Sequence, residues 1–247
     1  MKGVDCVGSA HGAGKGNVMK NTSPWTAWLA VAAVVFVVGP GGAASAGGET
    51  AAQADEQVGV EGTFVRVATN KEGWVVLGYR IANESVGKDW MLLEVGLTVT
   101  KGTKAQTIAR GDISLVTPKN EVISLPTQEE YEKARGFLVP LVKRAAMTGE
   151  SINYFPPSAD TPCQIQFFAE QGLPRVKLAH DEVEVSSNEA CMGFVYFEIP
   201  GGIQYGTYSF DVKFENSIVS VPVEIMTEER AKQFTQEWKK SLKETKK

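Results

Sequence analysis

Two cysteines in the second half of the chain, Cys163 and Cys191, have the clearest potential chemistry. The chain contains three cysteines, and Cys6 lies in a segment that we expect to be removed on export. An even pair in an oxidising compartment predicts a disulfide, which would stabilise the fold by roughly 3–4 kcal/mol. The alternatives are two free buried thiols or one reactive cysteine. A reactive cysteine would require C-x-x-C spacing or a neighbouring base, and neither is present.

A candidate metal site is formed by His180, Glu182 and Glu184. Alternate residues of an extended strand point to the same face, so an imidazole and two carboxylates would lie side by side. Such a set could bind a divalent cation, and it supports the alternative function of a metal-binding protein or metal-assisted hydrolase. The competing interpretation is a solvated edge strand, whose charges prevent pairing with another sheet edge.

Other catalytic chemistry is poorly represented in the sequence. The chain has two histidines, and since His11 precedes the predicted cleavage site, His180 would have to serve any Ser–His–Asp arrangement. The segment 149–153 (GESIN) lacks the last glycine of the nucleophile motif G-x-S-x-G. The net charge of −4 gives no reason to expect nucleic-acid binding. We therefore predict a non-enzyme that needs no cofactor and binds no nucleic acid.

The end of the chain is predicted to form an amphipathic helix over residues 227–247. Phe234, Trp238 and Leu242 share one face of it, and a stripe of this kind must be covered by another surface. The predicted covers are the protein's own sheet, where Phe234 is the favoured contact, or a partner protein of the cell envelope, contacted by the distal part. A membrane surface is disfavoured because Glu237 and Glu244 interrupt the lysines.

The N-terminus predicts an export signal. Residues 25–38 are almost wholly apolar, which is shorter than the roughly 20 residues of a membrane span but matches a signal-peptide core. Ala44-Ser45-Ala46 then supplies the small-x-small cleavage site, so residues 1–46 are predicted to be a signal peptide, with Met19 as a possible true start. Residues 47–57 lack apolar periodicity and are predicted to be a disordered leader. The mature protein would be periplasmic or secreted.

The mature chain is predicted to be mainly β. Runs rich in β-branched and aromatic residues are separated by Gly, Pro and Asn turns, without the helices that a parallel sheet would require. These features predict an immunoglobulin-like antiparallel β-sandwich over residues 58–226. The predicted strands are 63–68, 74–82, 90–100, 105–117, 122–125, 163–169, 175–185, 192–199, 206–215 and 218–225.

A helix is predicted to interrupt the sandwich at residues 127–148. Thr127 and Glu130 fit a capping box, and apolar residues then recur at spacings of three and four. Gly136 and Pro140 are expected to kink this helix or split it.

Two stretches carry a resemblance to a known family. The first runs through 90–118 and 123–127, where a strand ends in Thr-Pro-x-Asn and a short strand follows. The second is 197–202 followed by 205–208. Both are similar to uncharacterised exported immunoglobulin-like proteins of bacteria. The resemblance implies the fold and export, and it implies no activity.

Together these features predict a non-catalytic exported interaction module that presents its two helices. The runner-up is the metal protein around His180, and a structural protein of the envelope is a further alternative.

Overall fold

The computed structural model describes residues 56–169 and 178–244. The strands are β1 (Gln57–Gly62), β2 (Val65–Thr69), β3 (Gly73–Gly78), β4 (Trp90–Val99), β5 (Gln106–Ala109), β6 (Ile113–Val116), β7 (Val122–Ser124), β8 (Thr161–Gln164), β9 (Glu182–Val185), β10 (Glu189–Glu198), β11 (Gly206–Lys213) and β12 (Ile218–Ile225). The helices are α1 (Arg80–Asn83), α2 (Gln128–Thr148) and α3 (Glu228–Glu244), and a short 3₁₀ helix spans Arg110–Asp112. The prediction of a mainly β fold with antiparallel sheets is confirmed. The predicted signal peptide and residues 47–55 of the predicted leader lie outside the described residues.

The largest sheet has six strands in the order β1-β2-β3-β4-β10-β8. Its neighbours are antiparallel except for β8 and β10, which run parallel. Strand β4, with the sequence WMLLEVGLTV, lies inside the sheet because its apolar side chains can be buried on both faces. Glu94 is the one charged residue of this strand.

A second sheet has the order β12-β11-β6-β7, and β5 pairs with β9 in a separate two-stranded ribbon. In β12 every second residue from Val219 to Ile225 is buried, as expected of a strand with one face toward the core. These residues share one hydrophobic cluster with Val75 and Leu77 of β3. The ring centroids of Phe197 on β10 and Phe210 on β11 lie 6.2 Å apart, so the core lies between the two larger sheets.

Helix α2 covers the opposite face of the six-stranded sheet. Its N-terminus is capped by Thr127, whose hydroxyl accepts a hydrogen bond from the Glu130 amide at 3.2 Å, while the Thr127 amide donates to the Glu130 carboxylate at 2.7 Å. The helix continues through Gly136 and Pro140, so it is not split, and the kink stays a prediction. Pro140 is exposed, on the side of α2 that faces solvent.

Several predicted boundaries were wrong. The strand expected at 74–82 ends at Gly78, because the chain turns there into α1. The run 105–117 is divided by the 3₁₀ helix, in which the Asp112 carboxylate accepts a hydrogen bond from the Ala109 amide at 2.9 Å. Strand β1 was not predicted, and it begins at Gln57, the last residue of the predicted leader. It pairs along β2, and that pairing cannot be seen from its own glycine-rich sequence.

Candidate ligand-binding cleft

A cleft of about 390 Å³ opens on the face of the six-stranded sheet that α2 covers. Its floor is formed by β4 and β10, one wall by α2, and the other wall by the segment that follows β8. Tyr196 lies next to Phe197 in β10, and since alternate residues point to opposite faces, Tyr196 faces away from the core between the two sheets. The described residues that line the cleft are Glu94, Tyr131, Val142, Ile152, Gln164, Ile165, Gln166, Phe167, Phe168, Met192, Gly193, Phe194 and Tyr196.

Three aromatic rings form one end of the cleft. The centroids of Tyr131 and Phe168 lie 4.8 Å apart in a stacked arrangement, and Tyr196 lies 5.2 Å from Tyr131 and 5.3 Å from Phe168. The Arg110 guanidinium lies 4.8 Å from the Phe168 ring centroid and donates to the Pro126 carbonyl at 3.1 Å. Because each ring contacts the other two and Arg110 lies over Phe168, this end is preorganised.

The disulfide between Cys163 and Cys191 fixes the second wall. The predicted bridge is confirmed: the two residues are register partners of the parallel strands β8 and β10, with their Cα atoms 4.1 Å apart. The next residues along each strand, Gln164 and Met192, line the cleft. Beyond them, a Cβ on Gly193 would lie 2.4 Å from the Ile165 carbonyl oxygen, so glycine permits the wall to lie directly on β10.

Glu94 is the one carboxylate among the described residues that line the cleft. Burial raises its pKa to about 7, and the negative charge of Glu150 contributes in the same direction. Glu150 itself accepts a hydrogen bond from the Phe64 amide at 3.3 Å and is ion-paired with Arg80. The cleft therefore combines aromatic walls with one titratable acid in its floor, an arrangement suited to binding a ligand with an apolar body and one polar group.

The three candidate metal ligands, His180, Glu182 and Glu184, are not arranged as a metal site. Glu182 and Glu184 lie on the exposed face of β9, and His180, which is also exposed, precedes the strand and donates from its backbone amide to the Gln166 carbonyl. Within residues 56–169 and 178–244 there is no group of three or more His, Cys, Asp or Glu side chains arranged to hold a metal ion. The backbone carbonyl of Glu184 contacts the disulfide instead, at 4.0 and 3.6 Å from the two sulfurs.

The predicted partner-binding residues of α3 fall into two environments. Phe234 packs against the core, and the Arg66 guanidinium lies 4.9 Å from its ring centroid. Trp238 is half-buried beside a second, shallower groove of about 420 Å³, and Leu242 is 44% exposed. The structure therefore separates Phe234 from the other two residues that the sequence grouped with it.

Sequence reasoning missed the cleft. Glu94 carried a signal, because a single carboxylate stands inside an otherwise apolar strand. Phe194 and Tyr131 carried none, since aromatic residues in strands and amphipathic helices usually fill cores. Their position at a cleft depends on where α2 and the segment after β8 cover the sheet.

Two further observations bear on the whole chain. No helix among the described residues is long and apolar enough to cross a membrane. The resemblance to exported immunoglobulin-like proteins remains an expectation. The chain matches no protein-family model, and comparisons with curated proteins and with solved structures gave no match either.

Proposed function

We propose that this chain is a non-catalytic, exported interaction module that binds its ligand in the cleft beneath α2. The observation that carries the proposal is the cleft itself. Its volume of about 390 Å³ lies in the range of small-molecule sites, which are typically apolar and aromatic with a few convergent polar groups. The aromatic end is held by ring contacts, and the wall that follows β8 is held by a disulfide. Little ordering would therefore be required on binding.

The module is proposed to be a variant of the immunoglobulin-like sandwich. Support comes from the shared hydrophobic core of the six-stranded and four-stranded sheets and from the hairpin of β11 and β12 that closes it. The parallel pair of β8 and β10 and the separate ribbon of β5 and β9 are additions to a simple antiparallel sandwich.

Export is proposed to deliver the mature protein to the periplasm or the medium. The disulfide between Cys163 and Cys191 supports an oxidising compartment. We expect the N-terminus of the mature protein to be Gly47, which mass spectrometry of the exported protein can determine. A mature protein that retains residues 25–38 would contradict export by this signal.

A protein contact is proposed for the distal part of α3, with an envelope protein as partner. Leu242 is exposed there and Trp238 is half-buried, and the exposed Lys239, Lys240 and Lys243 are their neighbours in the sequence. A partner surface that combines apolar and acidic groups would complement this segment. Phe234 is better explained by its contact with Arg66.

The cleft can be tested by filling it. Val142 lines the cleft from α2, so Val142→Trp should occupy much of its volume. Val139→Trp is the matched control, because Val139 is also half-buried on α2 but does not line the cleft. Ligand-observed NMR against a mixed collection of small amines, alcohols, sugars and short peptides would identify binders.

We expect binders of the wild-type protein to bind Val139→Trp equally well and to lose binding to Val142→Trp. Thermal melts would show whether both variants are folded. If the collection yields no binder, or if Val142→Trp retains every binder, the cleft is not the ligand site and the proposal is wrong.

A further inference from the structure

The cleft places a carboxylate beside an aromatic ring. Glu94 and Phe194 are direct partners across the antiparallel pair of β4 and β10, so their side chains leave the sheet on the same face, with Cβ atoms about 4.5–5.5 Å apart. Both side chains are half-buried and line the cleft. A cation bound there would be attracted by the carboxylate and by the electronegative face of the ring.

Among residues 56–169 and 178–244, no cation pairs with Glu94. Within the described part of the chain, the Glu94 carboxylate forms neither a hydrogen bond nor an ion pair, and the charge that acts on it is that of Glu150. Arg80 is paired with Glu150. Arg110, the cation at the aromatic end, lies over Phe168 and donates to backbone carbonyls. The described residues thus provide no counter-charge for this half-buried carboxylate.

The end of α2 adds to the negative potential. Gly149 approaches Glu94 so closely that a Cβ at this residue would lie 2.6 Å from the Glu94 Oε1 atom. The C-terminal end of a helix carries partial negative charge, and the last turn of α2 contains no basic residue. The helix end and the carboxylate therefore favour positive charge in the same part of the cleft.

We propose that the ligand of this cleft is a small organic ammonium ion, whose N–H groups donate to Glu94 and whose apolar body packs against Phe194 and Met192. This inference rests on the proposed function, because it specifies the ligand class of the same cleft. A free amine and the side chain of a peptide lysine share this chemistry, and the cleft volume of about 390 Å³ accommodates either one.

Binding should depend on pH in a defined direction. Since the pKa of Glu94 is raised to about 7, the carboxylate gains its charge as pH rises through that value, while an alkylammonium ion keeps its own. Among the described residues that line the cleft or act on Glu94, the other charged or titratable groups are the Glu150–Arg80 pair and the phenols of Tyr131 and Tyr196. Affinity for an ammonium ion should therefore increase with pH across this range.

The experiment compares two probes of equal shape on the full mature chain. Phenethylammonium carries the charge, and phenethyl alcohol is its neutral counterpart; lysine with both ends blocked represents a peptide side chain. Affinities are measured by calorimetry about one pH unit above and below the pKa of Glu94. The variants are Glu94→Gln and, as control, Glu198→Gln, which removes an exposed carboxylate from the far end of β10.

We expect phenethylammonium to bind more tightly than the alcohol at the higher pH, and Glu94→Gln to weaken only the ammonium probe, by roughly tenfold or more. Glu198→Gln should change neither affinity. Tighter binding of blocked lysine than of phenethylammonium would identify a peptide as the source of the same group.

Two results would overturn the inference in distinguishable ways. If both probes bind equally and both are lost in Val142→Trp, the cleft stands as a binding site and the ammonium assignment is wrong. If neither probe binds, or if Val142→Trp affects neither, the ammonium assignment again fails, and the mixed-collection screen then decides whether the proposed function survives.

Discussion

The two long helices of this protein have similar sequence patterns and very different environments. Helix α2 buries Tyr131, Ala134, Leu138 and Ala145, whereas α3 contains no buried residue. Both have an apolar stripe at spacings of three and four, which is the feature that predicts a covered face. The comparison shows that a stripe predicts the helix but does not predict how much of its length is covered.

The difference has a structural cause. Helix α2 lies along the six-stranded sheet, so its stripe meets β4 and β10 over several turns. Helix α3 follows β12 and contacts the body through its first half, where the Thr235 hydroxyl is 3.0 Å from that of Thr63 and Phe234 lies over Arg66. Leu242, near the end of the helix, is exposed. Helices of this length are marginal without tertiary packing, so the distal part of α3 should be the less stable segment.

The largest expected difference is between one leucine in each helix. Leu138 of α2 is fully buried and Leu242 of α3 is 44% exposed. Leu138→Ala should lower the free energy of unfolding by about 3–5 kcal/mol, and Leu242→Ala by less than about 0.5 kcal/mol. Urea unfolding of the two variants measures both. Equal losses would mean that α3 is packed as firmly as α2.

The next largest effect concerns the cleft wall formed by the segment that follows β8. Cys163→Ala should lower stability by about 2–4 kcal/mol, because it opens a loop closed across 28 residues. Hydrogen exchange should increase at residues 164–168, the cleft wall, while α3 keeps its wild-type exchange. Loss of protection in α3 alone would contradict the assignment of the disulfide to the cleft.

A smaller effect separates the two parts of α3. Phe234→Ala should lower stability by about 1–2 kcal/mol, because a half-buried ring over Arg66 is lost. Trp238→Ala should cost less than about 1 kcal/mol and should impair any contact with a partner protein. Hydrogen exchange on the isolated protein measures the same difference directly. We expect amides near Phe234 to be protected and this protection to decrease beyond Trp238. Strong protection through Leu242 would rule out a free distal segment.

The last expected effect is a pH trend from Glu94. Its pKa is raised from 4.5 to about 7 in the folded state, so the folded protein holds this proton to higher pH than the unfolded chain does. The resulting stabilisation is fully present below about pH 4.5 and is lost as pH rises through about 7. Glu94→Gln should therefore gain stability relative to wild type over this window, as measured by melts at a series of pH values.

Glu198→Gln is the control for this trend, because Glu198 is exposed. The difference between wild type and Glu94→Gln should change with pH, and the difference for the control should not. A constant difference for both variants would mean that Glu94 is not shifted by its surroundings.

The sequence predicted local features better than the arrangement around the cleft. The Thr127 cap and the alternation in β12 are visible within a few residues. The disulfide was predictable because only two cysteines follow the predicted cleavage site. The register that sets Glu94 beside Phe194 joins residues far apart in the chain, so no local pattern could reveal it. The His180 group shows the converse: Glu182 and Glu184 alternate on the exposed face of β9 as predicted, but His180 precedes the strand, and the described residues form no group of three metal ligands.

We propose that this protein binds its ligand beneath α2 and not on α3. The most direct measurement is a map of backbone amide chemical shifts on saturation with a binder from the screen. If the ligand binds in the cleft, the changes will be concentrated at Glu94, Gln166 and Phe194 and at neighbouring residues of α2. Changes concentrated around Trp238 and Leu242, with the cleft unaffected, would contradict it.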